Sequence, residues 1–328
     1  MKETDETSYG VAICQGFEYL LENYEDVFVM GQGLWSPWYV GNSMTDLDVK
    51  FGAHRVIDTP VSESACTGAA VGASLAGMRP IVVHPRMDFM LYAMDAVVNQ
   101  AAKWSSMVGG QANPGLTIRG IINRGGEQGA QHSQSLHSWF AHVPGLRVVM
   151  PSSANDARDL LISAVLSPDP VVYIDDRWLY DEAEVLDSPT EVELSSIGPK
   201  IVAQGSDITL VATSYATKLS LDAVQALKTE GISAELIDVR VINPLDPSVV
   251  IESVRKTGAL IVVDGGWASC GLSAEIISSV VEAVDPGTLR ISPRRITLPA
   301  APAPTSSSLE RQYYFSAETI SSCVKSVL

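Results

Sequence analysis

The sequence has little positive charge and no long apolar run. Its 328 residues include 22 lysines and arginines against 38 aspartates and glutamates, which gives a formal net charge of −16. A surface this acidic repels a phosphate backbone, so we expect no nucleic-acid partner. No apolar stretch approaches the roughly 18 residues of a membrane-spanning helix, and we therefore expect no membrane partner.

Paired cysteines are absent as well. The four cysteines are scattered singly, with no CxxC spacing and no histidine at ligand spacing. This distribution argues against a disulfide framework and a zinc site, so no residue of this chain is predicted as a metal ligand. The N-terminal MKETDETSYG is acidic and polar where a signal peptide would be basic and then apolar, and the expected location is the cytoplasm.

Two nucleotide-binding motifs are also missing, because the sequence contains neither GxGxxG nor GxxxxGK[ST]. Nicotinamide and P-loop chemistry therefore lack support. Short apolar runs of strand length alternate with helical periodicity in both halves, which predicts an α/β protein of two doubly wound domains on parallel sheets. An aperiodic stretch rich in charge, serine and proline separates the halves. The predicted domains are 1–185 and 201–328, joined by a linker at 186–200.

The stretch DTPVSESACTGAAVGASLAG contains a single carboxylate at the start of a helix of small residues. Ser62 is the predicted N-cap, and Glu63 lies in the first turn, where the helix dipole favours an anion. No charge occurs from Ser64 to Met78, so the helix is predicted to be buried all round. Burial would raise the pKa of Glu63 and suit it to general acid work. The alternative is that Glu63 only caps its own helix.

Polar groups follow two predicted strands. The strand at 81–83 ends in His84, Pro85 and Arg86, and a long amphipathic helix is predicted to follow, from Phe89 to about residue 107. Carboxyl ends of parallel strands are where α/β folds bind their ligands. These residues are therefore candidates for a site.

The strand at 116–122 opens into the loop NRGGEQGAQHSQS, which contains Arg124, Gln131 and His132. So many hydrogen-bonding groups on a glycine-rich backbone indicate a site loop. His132 taken alone could equally be a solvated or capping histidine. A second loop holds Trp35, Trp38 and Tyr39 among glycines; it could line a pocket or a subunit contact.

Several segments together resemble the beta chain of two-chain 2-oxo acid dehydrogenases of the pyruvate or branched-chain type. These segments are RVIDTPVSESACTGAAVGASLAGMRPIVV, AQHSQS, PGLRVVMPSSANDARDLL, INPLD, VVDGGWASCGLSAEI and RITLPAAPAP. The match is collinear from about residue 9 to the end of the chain. It implies the transketolase-like thiamine diphosphate superfamily, with a pyrimidine-binding domain followed by a transketolase C-terminal-like domain.

The resemblance assigns roles to individual residues. Glu63 matches the glutamate that hydrogen-bonds a ring nitrogen of the cofactor's aminopyrimidine, and Phe89 matches the aromatic residue that packs on that ring. His132 matches a histidine at the substrate end of the site, so Glu63 and His132 are the predicted catalytic residues. Pro85 is placed in the cofactor pocket with Glu63 and Phe89. The alternative for Phe89 is an ordinary core position.

The sequence departs from the family pattern at two places. Gln32 stands where the family usually has an acidic residue, and His84 and Pro85 stand where it has Glu-Phe. The substrate is therefore left open between a 2-oxo acid and a ketose phosphate. His84, Arg86 and Arg124, together with Gln131, are predicted to offer positive or hydrogen-bonding groups to the substrate.

The chain contains no Gly-Asp-Gly and no Asn-Asn, the elements with which the family's other chain holds Mg²⁺ and the diphosphate. The resemblance thus implies an alpha subunit that binds both, in an α2β2 heterotetramer. Three functions are expected as alternatives. The first is decarboxylation of a pyruvate-like 2-oxo acid with transfer of the acyl unit to a lipoyl-bearing carrier. The second is transfer of a two-carbon ketol unit, as in a split transketolase. The third is a non-catalytic structural subunit.

Overall fold

The computed structural model describes residues 6–328, which form two compact units. The first unit comprises the chain up to Arg124 together with Trp139–Ile197, and the second comprises Gly125–Ser138 together with Gly198–Leu328. The glycine-rich loop predicted to carry site residues therefore groups with the second unit. The domain bounds predicted from the sequence stay a prediction.

The first unit is built on a parallel sheet. Its elements are β1 (Thr7–Ser8), α1 (Tyr9–Asn23), β2 (Val27–Gly31), α2 (Pro37–Val40), α3 (Leu47–Phe51), β3 (Val56–Asp58), α4 (Glu63–Leu75), β4 (Arg79–His84), α5 (Trp104–Met107), β5 (Thr117–Ile122), α6 (His137–Ala141, at the boundary of the units), β6 (Arg147–Val149), α7 (Ala154–Leu166), β7 (Val171–Asp176) and β8 (Ala183–Glu184). Strands run in the order β6-β7-β5-β4-β2-β3 with parallel neighbours, while β1 and β8 form a separate antiparallel pair. Strand β5 is buried along its whole length, as expected for a parallel sheet covered on both faces.

The second unit has a mixed sheet. Its elements are β9 (Lys200–Ala203), β10 (Ile208–Ala212), α8 (Tyr215–Thr229), β11 (Ala234–Asp238), β12 (Val241–Asn243), α9 (Ser248–Thr257), β13 (Leu260–Trp267), α10 (Leu272–Ala283), β14 (Arg294–Leu298), α11 (Ser307–Tyr313) and α12 (Ala317–Val327). The order is β14-β13-β10-β11-β9, with parallel pairing except between β11 and β9. The predicted α/β class is confirmed, and the antiparallel edge strand β9 is an addition to it. Within residues 6–328, no helix is both long enough and apolar enough to cross a membrane.

The predicted long helix from Phe89 to about residue 107 is wrong. The chain instead forms a 3₁₀ helix at Met87–Ala93, a π-helix at Asp95–Ala101 and then α5. Positions 87, 90, 93 and 96 are all buried. This spacing of three is the period of a 3₁₀ helix, not of an α-helix.

Helix α4 is not buried all round in this chain. Its buried side consists of Thr67, Ala70, Val71 and Ser74, and another side is an exposed strip of small, uncharged residues. These are Ser64, Ala65, Gly68, Ala69, Gly72 and Ala76. The prediction of all-round burial was based on the lack of charge. It failed because an uncharged helix face need not be covered by another element of the same chain. A Cβ atom added at Gly72 would have no neighbour within 4 Å.

A buried ion pair joins two central strands of the first unit. Arg119 on β5 donates from Nε and Nη2 to the two carboxylate oxygens of Asp175 on β7, at 2.8 and 2.9 Å, and both side chains are fully buried. The Tyr180 hydroxyl donates to the same carboxylate at 2.7 Å. Arg119 lies among apolar residues in the strand TIRGII, and no local pattern in the sequence predicts its ion pair.

Asp175→Asn should destabilise the first unit by about 3–5 kcal/mol, because it leaves the Arg119 charge buried without a counterion. The matched control is Asp26→Asn, which breaks the Arg79–Asp26 pair, where each side chain is more than a third exposed. That change should cost below about 1 kcal/mol. Urea unfolding of the two variants measures the difference, and equal costs would contradict the structural role given to the pair.

Candidate active site

A small pocket lies at the carboxyl ends of β2, β3 and β4, where Glu63 opens helix α4. Its lining residues are Gly31, Gln32, Thr59, Pro60, Ser62, Glu63, Cys66, Val82, Val83 and His84. Ser62 occupies the N-cap position as predicted, but its side chain makes no capping hydrogen bond. The half-buried Glu63 carboxylate accepts no hydrogen bond from any of residues 6–328. Its oxygens therefore remain open to a ligand, and this weakens the alternative that Glu63 only caps its helix.

His84 ends β4 and is buried on the same side of the sheet. Its Nε2 lies 3.3 Å from the Thr67 hydroxyl on α4. Burial lowers the pKa of His84 to about 4, so the imidazole is neutral at physiological pH. His84 was predicted to offer the substrate a positive charge or a hydrogen-bonding group. Only hydrogen bonding remains, because the ring carries no positive charge at physiological pH.

Two side chains converge on the carbonyl of Pro85. Asn123 Nδ2, which follows β5, and Arg86 Nη1 each donate to the Pro85 oxygen at 2.9 Å. Arg86 is half-buried, and burial together with the nearby Arg177 lowers its pKa. Its buried Nε has no hydrogen-bond partner among residues 6–328. Arg86 is therefore a cation with unused hydrogen-bonding capacity at a strand end.

Arg124 forms an ion pair within the first unit. Its Nη2 lies 2.6 Å from Asp176 Oδ2, and its guanidinium lies over the Trp178 ring. Burial raises the pKa of Asp176, although Arg124 opposes this effect. The substrate role predicted for Arg124 stays a prediction, but its charge is committed to this ion pair.

Arg177 was missed in the sequence. Its guanidinium donates to the main-chain oxygens of Pro37, Trp38 and Tyr39 at 3.1–3.3 Å, and so holds the aromatic loop against the end of β7. Arg177 and Asn123 both directly follow strands. The carboxyl-end rule that selected His84 could have found them.

The remaining predicted residues lie elsewhere. Phe89 is half-buried in the 3₁₀ helix of the first unit. Gln131 is exposed and His132 half-buried, both in the 125–138 segment of the second unit. The structure thus brings Glu63 and His84 into one pocket and places Pro85 and Arg86 directly after it along the chain. No cluster of three or more His, Cys, Asp or Glu side chains able to hold a metal occurs between residues 6 and 328.

Comparison with known proteins identifies the family. Residues 5–182 match the family described as "Transketolase, pyrimidine binding domain", and residues 199–320 match "Transketolase, C-terminal domain". The chain is 42% identical over 264 residues to the pyruvate dehydrogenase E1 component subunit beta-1 of Oryza sativa subsp. japonica, a mitochondrial protein, covering 78% of this chain and 69% of that one. The chain belongs to the pyruvate dehydrogenase E1 beta-subunit family.

A second E1 beta relative, the mitochondrial protein of Saccharomyces cerevisiae, is 37% identical over 314 residues, which cover 94% of this chain and 85% of the relative. A solved structure entitled "Split gene transketolase, inactive beta4 tetramer" matches with a TM-score of 0.79 over 99% of both chains, at 19% identity. That likeness concerns the fold alone. The resemblance recognised in the sequence is therefore confirmed, together with the two domain types.

The E1 beta family is thiamine diphosphate-dependent, and the pocket of the first unit fits the pyrimidine end of that cofactor. Glu63 offers a carboxyl group that has no hydrogen-bond partner in the described part of the chain, residues 6–328, and Val82 and Val83 provide an apolar wall. At Gly31, a Cβ atom would lie 2.3 Å from the Val83 carbonyl oxygen. Strands β2 and β4 can therefore approach each other this closely only because residue 31 has no side chain.

The low pKa of His84 predicts a pH-dependent stability. The unfolded chain binds a proton near the ordinary pKa of 6.5, whereas folded His84 does so only near 4. The free energy of unfolding should therefore fall as the pH drops from 6.5 to 4, by roughly 3 kcal/mol from this residue. His84→Gln should remove that part of the slope, while His142→Gln, at an exposed histidine, should keep it. Urea unfolding at several pH values measures both, and an unchanged slope in His84→Gln would contradict a buried neutral imidazole.

Proposed function

We propose that the chain is the catalytic beta subunit of an enzyme that decarboxylates a pyruvate-like 2-oxo acid and passes the acyl unit to a lipoyl-bearing carrier. Family membership supports the enzyme class. The observation that carries the catalytic assignment is the Glu63 carboxylate, which opens α4 in a pocket at the sheet edge and has no hydrogen-bond partner among residues 6–328. A structural subunit has no need of such a group.

Each predicted residue has a proposed task. Thiamine diphosphate, when bound, supplies an acidic carbon whose conjugate base attacks a carbonyl carbon. Glu63 would hold a proton against a ring nitrogen of the aminopyrimidine, and the Phe89 ring would pack on that heterocycle. Pro85, which follows His84 of the pocket along the chain, would contact the cofactor, and His132 would move a proton or hold a carboxylate at the substrate end.

The substrate assignment depends on groups near the end of β4. Arg86 is proposed to bind an anionic group of the substrate, because its buried Nε lacks a partner. His84 would add a neutral hydrogen bond, and Gln131 an amide. Arg124 is the weakest member of this set, since Asp176 already neutralises it.

The partner assignments come from what the sequence lacks. An alpha subunit is proposed to hold Mg²⁺ and the diphosphate, because this chain has neither Gly-Asp-Gly nor Asn-Asn. The exposed strip of small residues on α4 supports an α2β2 heterotetramer, since Gly68 and Gly72 leave room for a closely packed helix. The cytoplasmic location remains part of the proposal.

A second candidate is the transfer of a two-carbon ketol unit between sugar phosphates. The proximity of Arg177 to the incompletely paired Arg86 favours it, because two cations suit a phosphate better than one does. A turnover panel of pyruvate, branched 2-oxo acids and ketose phosphates distinguishes the candidates. Consumption of a ketose phosphate without release of carbon dioxide would replace the first candidate by the second.

Glu63→Gln tests whether the chain is catalytic. The change removes the titratable proton but keeps a hydrogen-bonding side chain, so the exchange of the cofactor's thiazolium proton for deuterium should slow by roughly 10²–10⁴ in the assembled enzyme. Thermal stability should barely change. NMR after an acid quench measures the exchange.

Glu318→Gln is the matched control, because Glu318 also lies in the first turn of a helix, α12. It should leave the exchange rate unaltered. Normal exchange in Glu63→Gln with the cofactor bound would reject the catalytic role, and a structural subunit would then be the better description.

Gly72→Leu tests the proposed assembly surface. The substitution has open space in the single chain and improves helix propensity by about 0.5–1 kcal/mol, so the chain should fold as well as before. Binding of the alpha subunit, or self-association of this chain, should weaken at least tenfold, which corresponds to about 1.4 kcal/mol. Light scattering and co-purification measure this.

Ser322→Leu supplies the control, since it adds the same side chain at an exposed position of α12. It should leave assembly intact. If Gly72→Leu assembles as well as Ser322→Leu does, the exposed strip of α4 is not a subunit contact.

A further inference from the structure

We propose that His137 and Asp264 are positioning residues that fix the loop carrying His132 onto the second unit. The proposal rests on the role in turnover proposed above for His132. The loop at 125–138 is separated from the rest of the second unit by the 59 residues of Trp139–Ile197, yet it groups with that unit. Specific contacts at both ends of the loop hold it there.

The first anchor lies at the start of the loop. The main-chain N–H of Glu127 donates to both carboxylate oxygens of Glu310 on α11, at 3.0 and 3.2 Å. The Glu127 carboxylate in turn accepts the main-chain N–H of Ser307 at 3.1 Å. Two residues on, a Cβ atom at Gly129 would lie 2.8 Å from the Thr305 hydroxyl oxygen. The loop therefore lies directly against the segment around α11.

The second anchor is a buried array at the end of the loop. The Ser135 hydroxyl lies 2.8 Å from His137 Nδ1, and His137 Nε2 lies 3.0 Å from Asp264 Oδ1. The latter two atoms are close but poorly aligned for a hydrogen bond, so the imidazole and the carboxylate are in close polar contact without a well-formed hydrogen bond. A Cβ atom at Gly266 would lie only 3.0 Å from the His137 ring, and the absence of that side chain lets the ring sit this close.

Asp264 is held as an anion in this array. Burial opposes its ionisation, but His137 and the main-chain N–H groups of Gly266 and Ser273 hold the pKa of Asp264 below its ordinary value. The two amides donate at 2.8 and 3.0 Å. Both His137 and Asp264 are 1% exposed. Removing His137 would leave the buried carboxylate with only the two main-chain amides as partners, and the loop end would lose its attachment to Asp264.

The two anchors leave only residues 130–134 between them, with His132 at the centre. A five-residue segment tied at both ends has few conformations available, so the position of the His132 imidazole depends on the anchors. None of the anchoring atoms belongs to a residue predicted to touch cofactor or substrate. The second unit thus has a task in the proposed reaction, which is to hold the His132 loop.

The first test measures the loop itself and needs no activity. Hydrogen–deuterium exchange by mass spectrometry on the full chain should show amides 129–136 exchanging about tenfold faster in His137→Ala, with β10 and β11 unchanged. His142→Ala removes an exposed histidine and should alter neither region. Ser135→Ala, which removes only the Nδ1 contact, is the milder variant should His137→Ala not fold. Unaltered protection of the loop in a folded variant would overturn the proposal.

The second test links the loop to His132. With pyruvate and the assembled enzyme, His137→Ala should lower kcat by about 10- to 100-fold, as displacement of a catalytic group does, and His137→Gln should recover part of the loss. In a His132→Asn background, His137→Ala should lower kcat no further. Deuterium exchange of the thiazolium proton, which reports Glu63, should stay normal.

The outcomes separate this proposal from the proposed function. Multiplicative losses in the double variant would overturn the positioning role, because the two residues would then act independently. If the enzyme does not turn over pyruvate but the loop loosens as described, the anchoring stands and the substrate assignment fails. A slowed thiazolium exchange in His137→Ala would assign His137 a general structural role and reject its link to His132.

Discussion

The ion pair between Arg119 and Asp175 fixes the alignment of strands β5 and β7. The positions of the polar side chains at the carboxyl ends of these strands depend on that alignment. Strands β5 and β7 are neighbours in parallel register, with Ile122 opposite Asp176. The pair locks that register from inside the sheet, since both side chains are fully buried and doubly hydrogen-bonded. Arg124 and Asp176 lie just beyond this pair in the sequence. The fixed register brings them together at the carboxyl ends of the two strands, where they form their own ion pair.

What could be predicted from the sequence follows from local patterns. Strands of a parallel sheet covered on both faces are continuous apolar runs, and so β4 and β5 were predicted close to their observed bounds. Family motifs added the position of Glu63, whose carboxylate the structure places in a pocket.

What could not be predicted depends on contacts between distant residues. The grouping of the 125–138 loop with the second unit rests on bonds such as that from Glu127 to Glu310, across 183 positions. The neutrality of His84 follows from burial against α4, which its neighbours in sequence do not reveal. The 3₁₀ and π turns after β4 replace a helix because the buried residues repeat every three positions, and an apolar period of three is easily taken for a helical one.

Most charged side chains at the sheet edge of the first unit already have partners within the fold. Few of them are therefore available to bind a substrate. Arg124 is neutralised by Asp176, and Arg177 is occupied by the main-chain oxygens of the aromatic loop. His84 carries no charge. Arg86 differs from these residues, since it forms no ion pair with any of residues 6–328 and its buried Nε has no hydrogen-bond partner among them. An unpaired donor in a half-buried setting costs stability unless something outside the chain supplies the acceptor. Arg86 is therefore the point at which the fold itself leaves room for an anion, and the nature of that anion is what separates a 2-oxo acid from a sugar phosphate.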